Sequence, residues 1–181
     1  MQQMLANLRA RREDERGFTL IELMVVVLII AILIAIAIPT FLGAKSRAQD
    51  KAAQSSLRNA LTNAKGIFTD QDTYGATTAL IGSTTSGLIA AEPSLTFQST
   101  ASANAKQVSV STAGATTVPS WVVMTALSAG GNCFAIADSS VAGTMFANLG
   151  SATCSPASAP IVLATPPTAT VGTATTWGQA W

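Results

Sequence analysis

The sequence predicts an α+β protein in which one long N-terminal helix, membrane anchor in its first half and amphipathic in its second, packs on a small antiparallel β-sheet. Three observations carry this. An apolar run of membrane length occupies 18–38 with Glu22 as its only charge, a helical apolar face resumes beyond Pro39, and short strand-like runs between turn residues follow Tyr74. The charges divide the same way, with sixteen of nineteen at or before Asp72 and only Glu92, Lys106 and Asp138 beyond it.

The 181-residue chain is 49% hydrophobic and 10% charged, an excess that points to a membrane segment in addition to a core. Its net charge of +1 supplies no global field toward nucleic acid or an acidic surface. Histidine is absent, which excludes imidazole metal sites and His-based acid–base catalysis. No nucleophile–base pair and no Gly-rich phosphate loop after a strand is present, so neither a catalytic residue nor a cofactor is expected.

The apolar run 18–38 spans roughly 31 Å as a helix, close to the hydrocarbon thickness of a bilayer. Ala35-Ile36-Ala37 imitates a signal-peptide cleavage site, but the run is longer than a signal peptide requires. Arg9, Arg11, Arg12 and Arg16 on one side are balanced by Lys45, Arg47 and Lys51 on the other, so charge alone does not orient it. Pro39 removes a backbone donor and crowds the preceding turn, and is expected to bend the helix or interrupt one turn. Steps of 100° then place Ala53, Leu57, Ala60, Leu61, Ala64, Ile67 and Phe68 within an arc of about 120°, a face made to lie on a core. Asp70, Asp72 and Gly75 supply the stop.

Beyond the helix, strands are expected around 95–97, 108–110, 121–127 and 133–137, forming an antiparallel sheet of three or four strands. The 155–176 stretch, rich in Ala, Thr and Pro, reads as irregular or extended chain, with Trp177 and Trp181 docking its end onto the sheet.

The stretch Gly-Phe-Thr-Leu-Ile-Glu-Leu at 17–23 follows a short charged leader and opens the apolar run, and a proline comes late in that run. In this combination, specific over 16–41, the sequence resembles the N-terminus of type IV pilins and the related pseudopilins. The resemblance implies a cytoplasmic leader 1–17 removed by a membrane prepilin peptidase between Gly17 and Phe18, and N-methylation of the new Phe18 amine. It implies an anchor and filament-core helix over 18–42, an amphipathic helix over 43–70 and a β-rich head over 71–181. The expected product is a helical homopolymer serving adhesion, motility or DNA uptake. Its subunits wait in the inner membrane and are exported to the cell surface by a platform protein and an assembly ATPase. The alternatives are a pseudopilin of a secretion or competence system, and a single-pass membrane-anchored binding protein.

Glu22 acquires a role in this frame. A carboxylate in a lipid-exposed helix costs roughly 2.5 to 3.5 kcal/mol near the bilayer centre and less near the headgroups. The Phe18 amine of an adjacent subunit would offset that cost and set the axial register of assembly. Snorkelling of Glu22 to the interface is the plainer alternative. Many family members carry a glycine within the anchor where the helix loosens on assembly; none occurs in 18–42, which leaves Pro39 and Gly43 as the weak points.

Arg47, Lys51, Arg58 and Lys65 fall within about 40° on the second half-helix. They offer phosphate contacts to DNA, but without interleaved aromatics a solvated edge or an inter-subunit contact is the stronger reading. The run Asp70-x-Asp72-x-Tyr74-Gly75 imitates the start of a calcium loop and lacks the later bidentate Glu, so a helix-ending turn is expected and no metal. Cys133 and Cys154 enclose a loop whose closure is worth on the order of 3 kcal/mol if they pair. The resemblance favours pairing into a stapled loop; two buried free thiols are the alternative.

Overall fold

The computed structural model describes residues 17–113, 121–139, 142–150, 153–155 and 177–181. The expected leader (1–16) and nearly all of the expected irregular stretch (156–176) lie outside the described residues. The chain forms two units, Met1–Ala44 and Lys45–Trp181. A single helix, α1 (Leu20–Gln71), contributes to both.

In the first unit, α1 starts where Thr19 accepts the Glu22 backbone N–H on its hydroxyl at 3.2 Å, satisfying a donor that the first turn leaves orphaned. Thr-Leu-Ile-Glu thus has the spacing of a capping box, and Glu22 sits in the first turn, where the helix dipole favours a negative charge. The helix continues through Pro39 and Gly43 as one element, with no backbone bond from the proline itself. The Thr40 hydroxyl donates to the carbonyls of Ala37 (2.9 Å) and Ile36 (3.2 Å), supplying side-chain bonds in the turn where the proline has no N–H to give.

In the second unit, α1 buries the stripe that its periodicity predicts. Ala53, Leu57, Ala60, Leu61 and Ala64 are in the core, and Ile67 and Phe68 pack partly buried beside them. Gln54, polar and unforeseen, is buried as well, its amide oxygen accepting from Lys51 Nζ at 3.0 Å. The helix stops at Asp72, which takes a left-handed φ of 55° and donates its N–H to the Phe68 carbonyl at 2.8 Å. The acidic run after the helix is therefore a terminating turn.

Two short helices follow, α2 (Thr77–Ile81) and α3 (Gly87–Ala91), neither legible in the sequence. Between them Ser83 and Ser86 exchange backbone hydrogen bonds across a tight turn. The flanking Gly82 and Gly87 have φ of 72° and 70° and approach so closely that a Cβ on either would meet backbone within 2.7 Å.

The sheet has five strands, not three or four, and is not wholly antiparallel. Its order is β1 (Thr96–Gln98), β2 (Gln107–Ala113), β3 (Trp121–Leu127), β4 (Cys133–Ser139), β5 (Gly143–Gly150), each strand beside the next. The last four form an antiparallel meander, whereas β1 pairs parallel to β2, with Phe97 opposite Val108. The return between these two parallel strands is pinned by buried Ser102. Its hydroxyl donates to the Gln107 carbonyl (2.6 Å) and accepts from Leu127 N–H (3.0 Å), so the link needs no crossover helix.

Alternation along the strands makes two faces. Val108, Val110, Val122, Met124, Ala126, Phe134 and Ile136 join the α1 stripe in one core. Val123, Ala135, Ala137, Ala147 and Leu149 form a second, thinner core on the opposite face with the two cysteines, and Leu127 and Trp177 pack against it.

Candidate functional site: processing junction and exposed anchor

Gly17 is exposed, with open space where a side chain would stand, and Phe18 retains 78% of its surface in contact with solvent. The junction between them is thus sterically open. Glu22 follows on the first turn of α1, its backbone N–H held by Thr19. From there to Leu42 every large apolar side chain is exposed, including Leu23, Leu33 and Phe41. The most apolar window of this helix has a mean hydropathy of 3.3 and no buried residue, so its length and composition suffice to cross a membrane. An apolar surface of this extent is of the kind that lipid or another protein covers.

The basic stripe on the second half of α1 is largely engaged within the head. Arg58 lies over the Trp181 ring at 4.9 Å and the Phe146 ring at 5.8 Å. Lys65 pairs with Asp138 at 2.8 Å and donates to the Thr144 hydroxyl at 2.7 Å. Lys51 reaches Gln54, as above.

Asp138 is the hub of a tie that sequence reasoning missed. The Tyr74 hydroxyl donates to Asp138 Oδ2 at 2.5 Å and the Thr144 hydroxyl to Oδ1 at 2.5 Å, with Lys65 on the same oxygen. Burial, reinforced by the hydrogen bond and the charge of Asp138, pushes the Tyr74 hydroxyl well above the ordinary phenol range. Each polar atom of the cluster is spent on another, so the arrangement fastens α1 and the turn after it to β4 and β5 rather than offering a ligand position. A second tie joins Asp50 to the β3–β4 turn, where Ser128 (2.6 Å) and Asn132 (3.1 Å) donate to its carboxylate. Neither tie has a local signature, because the partners lie more than sixty residues apart.

Cys133 and Cys154 form a disulfide with Cα atoms 5.3 Å apart, so the alternative of two free thiols is set aside. The Cys154 carbonyl also accepts from Ser102 N–H at 2.7 Å, fixing the bridged residue to the β1–β2 link. Trp181 docks as expected: its indole N–H donates to the Ala147 carbonyl at 3.0 Å. Among the described residues no group of acidic or cysteine side chains is placed to hold a metal ion.

Long helix, five-stranded sheet and exposed N-terminal half together define a pilin-like α+β fold. The particular feature that places it is at the N-terminus: residues 13–38 match the prokaryotic N-terminal methylation motif, typical of type IV pilins and pseudopilins. The motif implies processing by a prepilin peptidase, and with the apolar helix it describes a membrane-anchored prepilin. No curated protein and no solved structure matches the chain.

Proposed function

We propose that the chain is a type IV pilin precursor. It is cut between Gly17 and Phe18, methylated on the Phe18 amine, and polymerised into an extracellular filament whose core is the 18–42 stretch. The observation that carries this reading is the methylation motif running directly into a helix whose first half has its apolar surface wholly uncovered. A monomer leaves that surface to lipid tails, and a helical bundle of neighbours replaces lipid with packed Leu, Ile and Val side chains.

Glu22 is the register device. Its carboxylate takes the methylated Phe18 amine of a neighbour, a cation that exists only after cleavage, so uncut subunits are excluded from assembly. Pro39 and Gly43 are the points where α1 yields when the subunit leaves the bilayer, Thr40 holding the proline turn together until then. A platform protein and an assembly ATPase supply the work.

Intact mass and N-terminal fragmentation of protein recovered from its native envelope test the processing step. A chain beginning at N-methylated Phe18 is expected; retention of 1–17 in cells that hold the peptidase would overturn the proposal. Glu22→Ala should still insert and be cut, yet yield few filaments. Electron microscopy then separates long surface pili from the short assemblies of a pseudopilin.

A further inference from the structure

The 177–181 segment grips the free edge of β5 from both faces. Trp177 packs with the outer cluster that holds Cys133, Cys154 and Leu149. Gly178 pairs antiparallel with Phe146, donating its N–H to the Phe146 carbonyl at 2.8 Å and accepting the Phe146 N–H at 2.9 Å. Trp181 then stands on the helix-facing side, its ring edge-to-face with Phe146 at 4.7 Å and Phe134 at 6.0 Å, under the Arg58 guanidinium.

These are the parts of a peptide bound to a protein: strand addition holds the backbone, and an aromatic pocket with a cation holds the anchor side chain. The walls of the pocket come from elements other than the segment. Arg58 comes from α1, Phe134 is buried in the main core, and Phe146 packs partly buried against that core from β5. Without the segment, Phe146 would present unpaired backbone groups at a sheet edge beside an apolar hollow, a ready template for another extended chain. Residues 155–176 separate the disulfide-anchored Cys154 from Trp177, so the segment is covalently tied to the chain whose edge it fills. A second copy held alongside would carry the same segment, because its sequence is the same.

We infer that the β5 edge with Arg58, Phe134 and Phe146 is a receptor for the Trp-Gly-Gln-Ala-Trp segment, filled by the chain's own residues when alone and by those of a second copy when copies are adjacent. The receptor stands independently; the adjacency of copies rests on the filament reading above.

Deleting 177–181 from the full chain in detergent micelles empties the receptor, and a fluorescein-labelled peptide of sequence TTWGQAW is the probe. The deleted chain should bind it, the intact chain about tenfold more weakly through internal competition, and Arg58→Ala in the deleted chain should weaken binding several-fold. A deleted chain that keeps its disulfide and circular dichroism yet ignores the peptide at millimolar concentration overturns the receptor. If the deletion prevents folding, hydrogen exchange of the intact chain decides. Phe146 and Gly178 amides that open together, far faster than those of β4, support a bound segment, whereas exchange only on global unfolding overturns it. For the second copy, the deleted chain is mixed with full-length Arg58→Ala, which has a segment to give and a poor receptor. A complex seen by light scattering, with each chain alone monomeric, supports exchange; its absence while the peptide binds overturns the second-copy clause. None of these readouts needs leader removal or polymer, so a failure of the filament reading, seen as a processed chain that forms no filaments in its envelope, would leave them unchanged.

Discussion

The 20–44 and 45–71 stretches of α1 share one continuous backbone and opposite side-chain logic. In the first, leucines, isoleucines and valines point in every direction and none is buried; in the second, apolar residues keep to a stripe that is buried in the core shared with the sheet. Helix propensity does not distinguish the two. What differs is the environment each surface suits, an apolar medium for one and the sheet of the head for the other, and the same substitution should therefore have different consequences in each.

The largest effect is expected at Leu57, fully buried against the sheet. Leu57→Ala should destabilise the head by about 2–5 kcal/mol through lost burial and a residual cavity, read by denaturant unfolding. Reduction of Cys133–Cys154, or Cys154→Ser in a Cys133→Ser background, should cost about 3 kcal/mol in the same assay, since the bridge closes a loop of sequence separation 21. Smaller again is Tyr74→Phe, which leaves one Asp138 oxygen without its phenol donor and should cost about 1–2 kcal/mol.

Tyr74 also sets a pH dependence. Its hydroxyl holds its proton more tightly folded than unfolded, so its contribution is complete below the unfolded pKa of about 10 and is lost as pH rises above that. Because the chain has one tyrosine, tyrosinate absorbance reports this residue alone. It should appear only well above pH 10 or together with unfolding, and Tyr74→Phe should remove this alkaline slope.

The smallest effect closes the comparison. Leu33→Ala, in the exposed half, should move head stability by no more than about 0.5 kcal/mol while lowering filament yield. A large loss of head stability from this change would mean that the exposed half is not a separate surface.

The features that could be read from sequence are those whose causes are local. The α1 stripe follows from spacing, β3 from a run of β-formers whose limits coincide with the strand, and the stop at Asp72 from turn chemistry. β5 escaped notice because Gly143, Asn148 and Gly150 blur its alternation, and it is a strand because β4 lies beside it. The parallel placement of β1 depends on Ser102 reaching Leu127 and Cys154, contacts without any short-range pattern. At the N-terminus the proposed cleavage and assembly residues stand within six positions of one another, so a short motif displays them. The function of Arg58 and Lys65 inside the head was hidden because their partners arrive from β4, β5 and the 177–181 segment.

The long separation between Asp50 and Ser128, 78 residues, has a consequence for biosynthesis. At roughly 5–20 residues per second, α1 leaves the ribosome some 4–16 s before the turn that binds it. For that interval the stripe from Ala53 to Ala64 has no sheet to lie on. The newborn helix therefore shows its apolar stripe to its surroundings over that interval, and the rate at which the meander is synthesised sets how long the exposure lasts.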